Sequence, residues 1–557
     1  MSDEFPRLNR RQILKLAAGA GGALTLSALL AACGGAASPS TASSSSAGKA
    51  TGTAGTGGSA SASASAAATP GTPKTGGTLR YGLSSDVVNF DAQIQTGAAA
   101  SDVKNMIYDT LITYDQNGKM IPGLASAWKA IDASTYQFTL RQGVKWHTGD
   151  PFTADDVLFT FQRMEDPSVG AYNAGRFKSV SKIATPDANT VVFHLSTPNA
   201  VFPYIIADVN SAIINRKYTS SHNLQTAPMG TGPFYFVSRQ PGVQITIKKN
   251  PNYWMPGIPY LDGINFYPKP DDTTRTTALL SGDVDFMDYV PYTQMAAIKS
   301  SSKLKMYGDE EIGFGWLAFD HTHQPFNDLR VRQACAYALN REVIAQTAFQ
   351  GFGAPMNGGL IPKGWVGYDP SIQNTYDYNP TKAKQLLAAA GFPNGFKTKI
   401  LSTSTYSVIS GPATAAQALL KDVGIDAQLD LQEWQIFLKT VAGGTYPAHI
   451  WGSALPYTDP DALTNFLSGT EGTIPKDFHY NDPTINKWLD EGRQTLNVSQ
   501  RQTIYANIDK RVLETVPYTW LVRREQAEAS QAFVNGYVHL TADGWSQLML
   551  RQTWLAS

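Results

Sequence analysis

Cysteine is nearly absent from this 557-residue chain, which has two, Cys33 and Cys335, beside only 8 histidines. Two thiols are too few for a disulfide framework or for a zinc site built on cysteine ligands. One bridge between them is compatible with the count, but Cys33 sits in a context that uses it otherwise. An excess of charge of one sign is also lacking. Lys plus Arg number 45 and Asp plus Glu 45, so no global field draws the chain to phosphate backbones, and nucleic acid is not an expected partner. Three signatures of catalysis are missing as well: no Gly-x-Ser-x-Gly elbow, no Gly-Lys-Ser/Thr phosphate loop and no His-Glu-x-x-His zinc helix occurs. No cofactor is expected, and the chain reads as a binding protein, not an enzyme. What it has in plenty is core material, 42% hydrophobic and 11% aromatic, over a length that calls for two or three lobes.

Residues 1–33 pass from a basic segment holding Arg10, Arg11 and Lys15, through an apolar Ala/Leu/Gly stretch, to Leu30-Ala31-Ala32-Cys33. That order is the order of a signal peptide. The small residues ahead of Cys33 resemble a bacterial lipobox, which implies a diacylglyceryl group on the cysteine sulfur and acyl chains that hold the protein at a membrane surface. Arg10-Arg11 with Ile13-Leu14-Lys15 resembles a twin-arginine signal, from which Asn9 and Ile13 depart, so Sec and twin-arginine export both stay open. An uncleaved membrane helix is the alternative. Its glycines and alanines, and a cysteine placed where the apolar run ends, speak against it. From Gly34 to about Gly76 the chain is almost purely Ser, Ala, Gly and Thr, which cannot bury enough surface to offset its ordering entropy. Residues 34–76 are therefore read as a flexible tether that keeps a globular body near a membrane partner.

Beyond residue 77 strand-like and helix-like segments alternate. Tyr136 to Arg141, Val192 to Leu195 and Val243 to Lys248 have the period-two pattern of half-buried strands. Thr153 three residues before Asp156 predicts a capped helix with Val157, Phe161 and Met164 on its apolar stripe. A second helix is expected from Asn327, burying Val331, Cys335 and Ala338. A third is expected from Asn379-Pro380, with Leu386, Leu387 and Ala390 on its stripe and Gly391 as its stop. The body is α/β.

Several blocks, in order and over about residues 77–540, are similar to the family 5 extracellular solute-binding proteins, the dipeptide- and oligopeptide-binding group of ABC importers. They are Ile107-Tyr108-Asp109-Thr110-Leu111, Ile121 to Trp128, Gly143 to His147 with Phe152 to Val157, Gly230-Thr231-Gly232-Pro233-Phe234, Lys249 to Trp254, Ala278 to Asp285, and Pro325 to Ala334 with Asn340-Arg341. Most have structural readings of their own, such as a tight crossing at Gly230 and Gly232 and a turn at Asn250-Pro251 closed by aromatic packing. The resemblance implies a two-lobed periplasmic-binding-protein fold with an extra subdomain inserted in the first lobe. Lobe I would comprise residues 77–108, 231–318 and 523–557, the insert 109–230 and lobe II 319–522. A monomer is implied, with a small or oligomeric solute enclosed between lobes and a membrane permease that reads the closed form.

Relatives hold a peptide backbone between a segment shortly after the first strand and a Trp-x-x-Asp-Tyr-x-Asp-Pro region. Here the resemblance places Thr96, Gly97 and Ala98 in the first, and Trp451, Gly452, Ser453, Ala454 and Tyr457 in the second. Pro456 stands where relatives carry the aspartate that pairs with the ligand's amino terminus, and Trp451 lies two residues further from Tyr457 than in the pattern. A buried ammonium without a carboxylate carries a desolvation cost of several kcal/mol. The expected solute therefore lacks that amine, with an oligosaccharide ahead of a peptide; Glu433 and Asp459 are candidate substitutes, although Asp459-Pro460 reads more simply as a turn. Trp316 and Trp434 join Trp451 as candidate stacking surfaces, against the commoner fate of tryptophan in a core, and Tyr172 falls near a cleft-facing segment of relatives. His321-Thr322-His323 raises the alternative of a metal-chelate carrier, set against a plain exposed turn, and a ligand sensor without a permease is the other alternative.

Overall fold

The computed structural model describes residues 72–94, 97–472, 474–540 and 546–556. Cys33, nearly all of the expected tether and Thr96 lie outside the described residues. The body takes hold at the end of the expected tether, where Gly76 N–H donates to the Tyr260 carbonyl at 2.8 Å and Gly77 N–H to Asp262 at 3.0 Å.

An 11-stranded mixed sheet organises the body. Its first half holds Thr78–Leu83 flanked by Gly263–Pro268 and Phe286–Met287, then the antiparallel run Gln244–Lys249 and Phe234–Gln240 out to the edge. Its second half holds Ala448–Ala454, Phe396–Thr403 and Ile425–Gln432. Two long antiparallel strands, Leu304–Phe319 and Tyr518–Gln531, join the halves. Their outer stretches pair from Leu304↔Gln531 to Glu310↔Glu525, their inner stretches from Phe314↔Arg523 to Ala318↔Tyr518, and the register shifts between. The first half packs Tyr81, Phe266 and Phe286 into one core, while Leu317, Phe319 and Leu521 belong to another and Trp316, Tyr518 and Trp520 to a third. This is the mixed α/β, two-lobed architecture expected, with crossing strands between the lobes.

A separate antiparallel sheet of 4 strands, Ala125–Asp132, Thr135–Leu140, Thr190–Leu195 and Val180–Asp187, packs beside the first lobe. Its alternation is legible in burial: Tyr136, Phe138 and Leu140 are inside, Thr139 outside. The helix Ala154–Glu165 covers it, begun by a capping box in which the Asp156 carboxylate accepts the Thr153 N–H at 3.0 Å. Asn379 likewise caps Pro380–Ala389, accepting from Lys382 N–H at 2.9 Å, and Gly391 at φ +95° follows that helix in the left-handed region.

Two boundaries differ from expectation. The helix expected from Asn327 is Leu329–Ala338, because the Asp328 carboxylate accepts Arg330 N–H at 2.8 Å and is the acceptor that anchors the first turn. Its stripe of Val331, Cys335 and Ala338 is buried as expected, and burial pushes the Cys335 thiol up to about 12. The strand expected from Val243 begins at Gln244, since Val243 N–H closes a turn onto the Gln240 carbonyl and its side chain is exposed. Among the described residues no helix is long and apolar enough to cross a membrane.

Candidate functional site

Three of the motif blocks meet on one carboxylate. Asp109 is half-buried and accepts hydrogen bonds from Thr231 Oγ1 at 2.9 Å, Tyr253 Oη at 3.1 Å and Trp254 Nε1 at 2.8 Å, while Arg141 lies over the Trp254 ring at 4.4 Å. Gly230 and Gly232 cross directly over the end of helix Ala98–Ile107, where an added Cβ would fall 2.1 and 2.5 Å from backbone atoms of Ile107. His147 clamps that crossing, with Nδ1 accepting Gly230 N–H at 3.3 Å and Nε2 facing the Gly232 carbonyl at 3.0 Å. Burial lowers its pKa to about 4, so it stays neutral and fixed in one tautomer. A cavity of about 360 Å³ lined by His147, Tyr218, Tyr235 and Asn250 lies over this crossing, not between the lobes. These blocks hold the fold.

The site proper grows from the second lobe. Phe396–Thr403 runs parallel to Ile425–Gln432 and to Ala448–Ala454, so the carboxyl ends of all three strands open on one side. Crevices at such ends are where ligands bind in α/β sheets. Tyr406, Trp434 and Trp451 meet there: Trp434 lies edge-on to Tyr406 with centroids 4.9 Å apart and to Trp451 at 6.1 Å, and Phe437 props both tryptophans from 5.5 Å. Trp434 and Trp451 are half-buried and Tyr406 is exposed. Trp316 is different. It pairs with Trp451 across the strands, lies 5.7 Å from it, and is 0% exposed beneath Phe314, Phe466 and Tyr518. The expectation that Trp316 offers a face to a solute is corrected: the residue supports Trp451 from below. Gly452 pairs with Gly315, a side-chain-free pair that leaves bare backbone between the strands, and Ser453 and Ala454 are half-buried beyond it. Ala448–Ala454 pairs with Phe396–Thr403 only at His449, so among the described residues the second backbone edge of Trp451 to Ala454 has no strand beside it. An extended ligand can use such an edge.

The loop that follows has no spare acid of its own. Asp459 is clamped by Arg501 through two bonds of 2.6 and 2.8 Å and also caps Pro460–Leu463. Asp461 takes the Tyr457 hydroxyl at 3.0 Å and Arg493 Nε at 3.2 Å, and Arg493 extends to Glu471 at 2.8 Å. Tyr457 is thereby held by its hydroxyl, with its ring nearly buried. Glu433, exposed, accepts the Ile436 N–H at 3.4 Å at the start of the helix Trp434–Ala442.

From the first lobe, Tyr172 reaches the same place. Its N–H donates to the Gln93 carbonyl at 2.9 Å, which ties it to the chain that leads to Gly97 and Ala98 at the head of Ala98–Ile107. Gly97 has φ +109°, a left-handed conformation that an L side chain strains to adopt, and is exposed, while Ala98 is half-buried. Between the lobes stands a residue the sequence did not flag. The Arg176 guanidinium lies 5.4 Å from the Tyr172 ring and 5.7 Å from the Tyr457 ring, and Tyr204 stacks on Tyr457 at 5.7 Å. Ala200 N–H donates to the Arg493 carbonyl at 2.7 Å, so the loop that leaves the inserted sheet touches the second lobe directly. Tyr172 on one side and Tyr457 on the other are thus linked by one arginine, and the aromatic crevice lies on the strand that leads into Tyr457.

His321 and His323 do not assemble a metal site. The His321 ring packs against Tyr480 at 5.2 Å and burial lowers its pKa to about 3, while His323 is exposed, and no group of three or more His, Cys, Asp or Glu able to hold a metal occurs among the described residues.

Two lobes joined by crossing strands, with an aromatic crevice in one and an inserted sheet reaching across from the other, define a two-lobed solute-binding protein of the kind that serves ABC importers. The chain belongs to the bacterial extracellular solute-binding proteins, family 5, whose middle region matches residues 119–474. It is 29% identical over 459 residues to the di/tripeptide-binding protein 1 of Pseudomonas aeruginosa, covering 77% of this chain and 85% of that one. It is likewise 29% identical over 481 residues to heme-binding protein A of Haemophilus influenzae, covering 80% and 87%. Among solved structures it is similar to the binding protein AgaA in complex with agropinic acid from A. tumefaciens R10, at 36% identity and TM-score 0.76 over 86% of this chain and 99% of that one. It is also similar to the Helicobacter pylori protein DppA in complex with a peptide, at 25% identity and TM-score 0.75 over 87% and 99%. The family is one of extracytoplasmic carriers that bind peptide-like solutes and work with an ABC permease, not of catalysts.

Proposed function

We propose that the protein is an extracytoplasmic lipoprotein, anchored through Cys33 and carried on the 34–76 tether, that captures an organic acid lacking a free ammonium and delivers it to an ABC permease. The observation that carries this reading is the state of the loop after Trp451. Pro456 stands where the family resemblance implies an aspartate for a ligand amine, Asp459 is committed to Arg501, and Asp461 to Arg493 and Tyr457. An ammonium delivered here meets no uncommitted carboxylate from these positions, and an unpaired buried charge costs several kcal/mol. The 36% identity with a protein that holds agropinic acid, against 29% and 25% for peptide-binding relatives, supports an acid over a peptide. The exposed ring of Tyr406 and the half-buried rings of Trp434 and Trp451 favour a second reading, an oligosaccharide stacked on those rings.

Mass spectrometry of solute retained by gently purified protein tests this reading. It predicts a compound with no primary amine, and a retained free-amine peptide contradicts it. Labelling with a radioactive fatty acid tests the anchor, with Cys33→Ser expected to abolish both label and membrane retention.

A further inference from the structure

Arginines around the lobe junction fall into two kinds. Arg501 spends Nε on the Gly492 carbonyl at 3.0 Å and both Nη atoms on Asp459. Arg493 spends Nε on Asp461, Nη1 on Glu471 and Nη2 on Thr464 at 2.9 Å. Arg341 spends Nε on the Trp520 carbonyl and Nη2 on Thr519. In each the guanidinium is consumed by the fold. Arg176 is not. Only its Nη1 is engaged, donating to Asn173 Oδ1 at 3.0 Å and Asp208 Oδ2 at 3.2 Å, and among the described residues Nε and Nη2 make no hydrogen bond.

Those two nitrogens form the edge of a guanidinium that receives a carboxylate in two parallel bonds. The neighbours of Arg176 leave that edge without a hydrogen bond among the described residues. The residue sits in the short turn Ala174–Phe177, and its side chain is 25% exposed. Asp208 fixes the far side of the fork through Oδ2, while its Oδ1 is occupied by Asn210 N–H at 2.7 Å and Asn210 Nδ2 at 2.8 Å. Tyr172 and Tyr457 bracket the cation from the two lobes, and the Tyr457 hydroxyl points away to Asp461, so aromatic faces shield the guanidinium without taking its donors.

We infer that Arg176 is the anion-receiving subsite of the cleft, taking a solute carboxylate through Nε and Nη2 between the rings of Tyr172 and Tyr457. This deepens the reading above, on which it rests for the place of the solute. It makes the solute class an acid and not a neutral sugar. It also gives closure a cause, because an anion held here touches aromatic walls from both lobes at once.

The test is titration calorimetry on the full chain in detergent. The probes are agropinic acid, a panel of amine-free sugar acids, and the methyl ester of each acid. Wild type, Arg176→Gln and Arg176→Lys are compared, with melting temperatures as the check on folding. We expect at least one acid to bind wild type, Arg176→Gln to weaken it roughly 30-fold or more, and the ester to bind both forms within about threefold. Arg176→Lys should recover only part of the loss, since an ammonium has no fork. Equal losses for acid and ester, no loss for either, or no binding by any carboxylate would each overturn the subsite. If free-amine dipeptides bind instead, the amine-free reading falls alone, and the same comparison between dipeptide and its carboxyl-terminal amide decides Arg176.

Discussion

Asp459 and Arg501 form a two-bond ion pair, 2.6 and 2.8 Å, buried beside Tyr505 and at the foot of the loop that carries Pro456 and Tyr457. The pair decides what Asp459 is for. It shapes the loop and is spent in doing so. Asp459→Ala leaves the Arg501 cation buried and unpaired, and is expected to cost roughly 3–5 kcal/mol of stability. Urea unfolding measures it. Asp459→Ala should show that loss, with affinity for solute in the remaining folded protein changed far less than by a change at Arg176.

The convergence on Asp109 makes a second prediction. Three donors from two distant blocks, Thr231, Tyr253 and Trp254, end on this one side chain. Asp109→Ala strands all three in a partly buried setting, at up to about 1–3 kcal/mol for each unsatisfied donor. Thermal unfolding should show a drop of many degrees or failure to accumulate folded protein, and Asp109→Asn a smaller drop.

Trp316 and Trp451 are neighbours across a strand pair with opposite fates. Trp316→Ala removes a ring that is 0% exposed, for an expected loss of about 3–5 kcal/mol. Trp451→Ala removes a half-buried ring at the crevice, so its main effect should be on solute affinity. Paired calorimetry and denaturation of the two variants separate the roles, and a Trp451→Ala protein with unchanged affinity would remove Trp451 from the site.

Asp509 makes stability depend on pH. Burial pushes its pKa up to about 6, against the pull of hydrogen bonds from Leu360 N–H at 2.8 Å and Ile361 N–H at 3.2 Å. Between the ordinary carboxylate value and about 6 the folded protein holds a proton that the unfolded chain releases. Stability from this group is therefore present at low pH and falls as pH rises through that window. Relative to Asp509→Asn, wild type should lose about 2 to 3 kcal/mol between pH 4 and pH 7. Urea denaturation at several pH values checks the slope, and a stability difference that does not change with pH would contradict it.

Much of the fold was legible because its signals are local. The Thr153 and Asn379 caps, the alternation of Tyr136, Phe138 and Leu140 and the motif blocks each speak within a few residues. The candidate site was legible by halves. Gly97, Ala98, Tyr172, Trp434, Trp451 and Tyr457 were drawn from resemblance and aromatic content, and the fold brings Trp434 against Trp451 and sets Tyr172 and Tyr457 on either side of Arg176. Trp316 could not be told from Trp451, because both faces of Leu304–Phe319 are covered in its inner stretch and alternation carries no sign of which ring is on top. Arg176, Tyr204 and Tyr406 left no signal in the sequence. Their partners Tyr457 and Trp434 are distant in the chain or separated by a whole helix, and an arginine with unused donors looks in sequence like one with none.

The central claim is that the solute brings no free ammonium into the cleft, and calorimetric titration of the full chain with free-amine dipeptides tests it most directly. The account predicts no measurable heat of binding up to millimolar dipeptide, in a preparation where agropinic acid or another amine-free acid does bind. Saturable dipeptide binding in the micromolar range or tighter would contradict it.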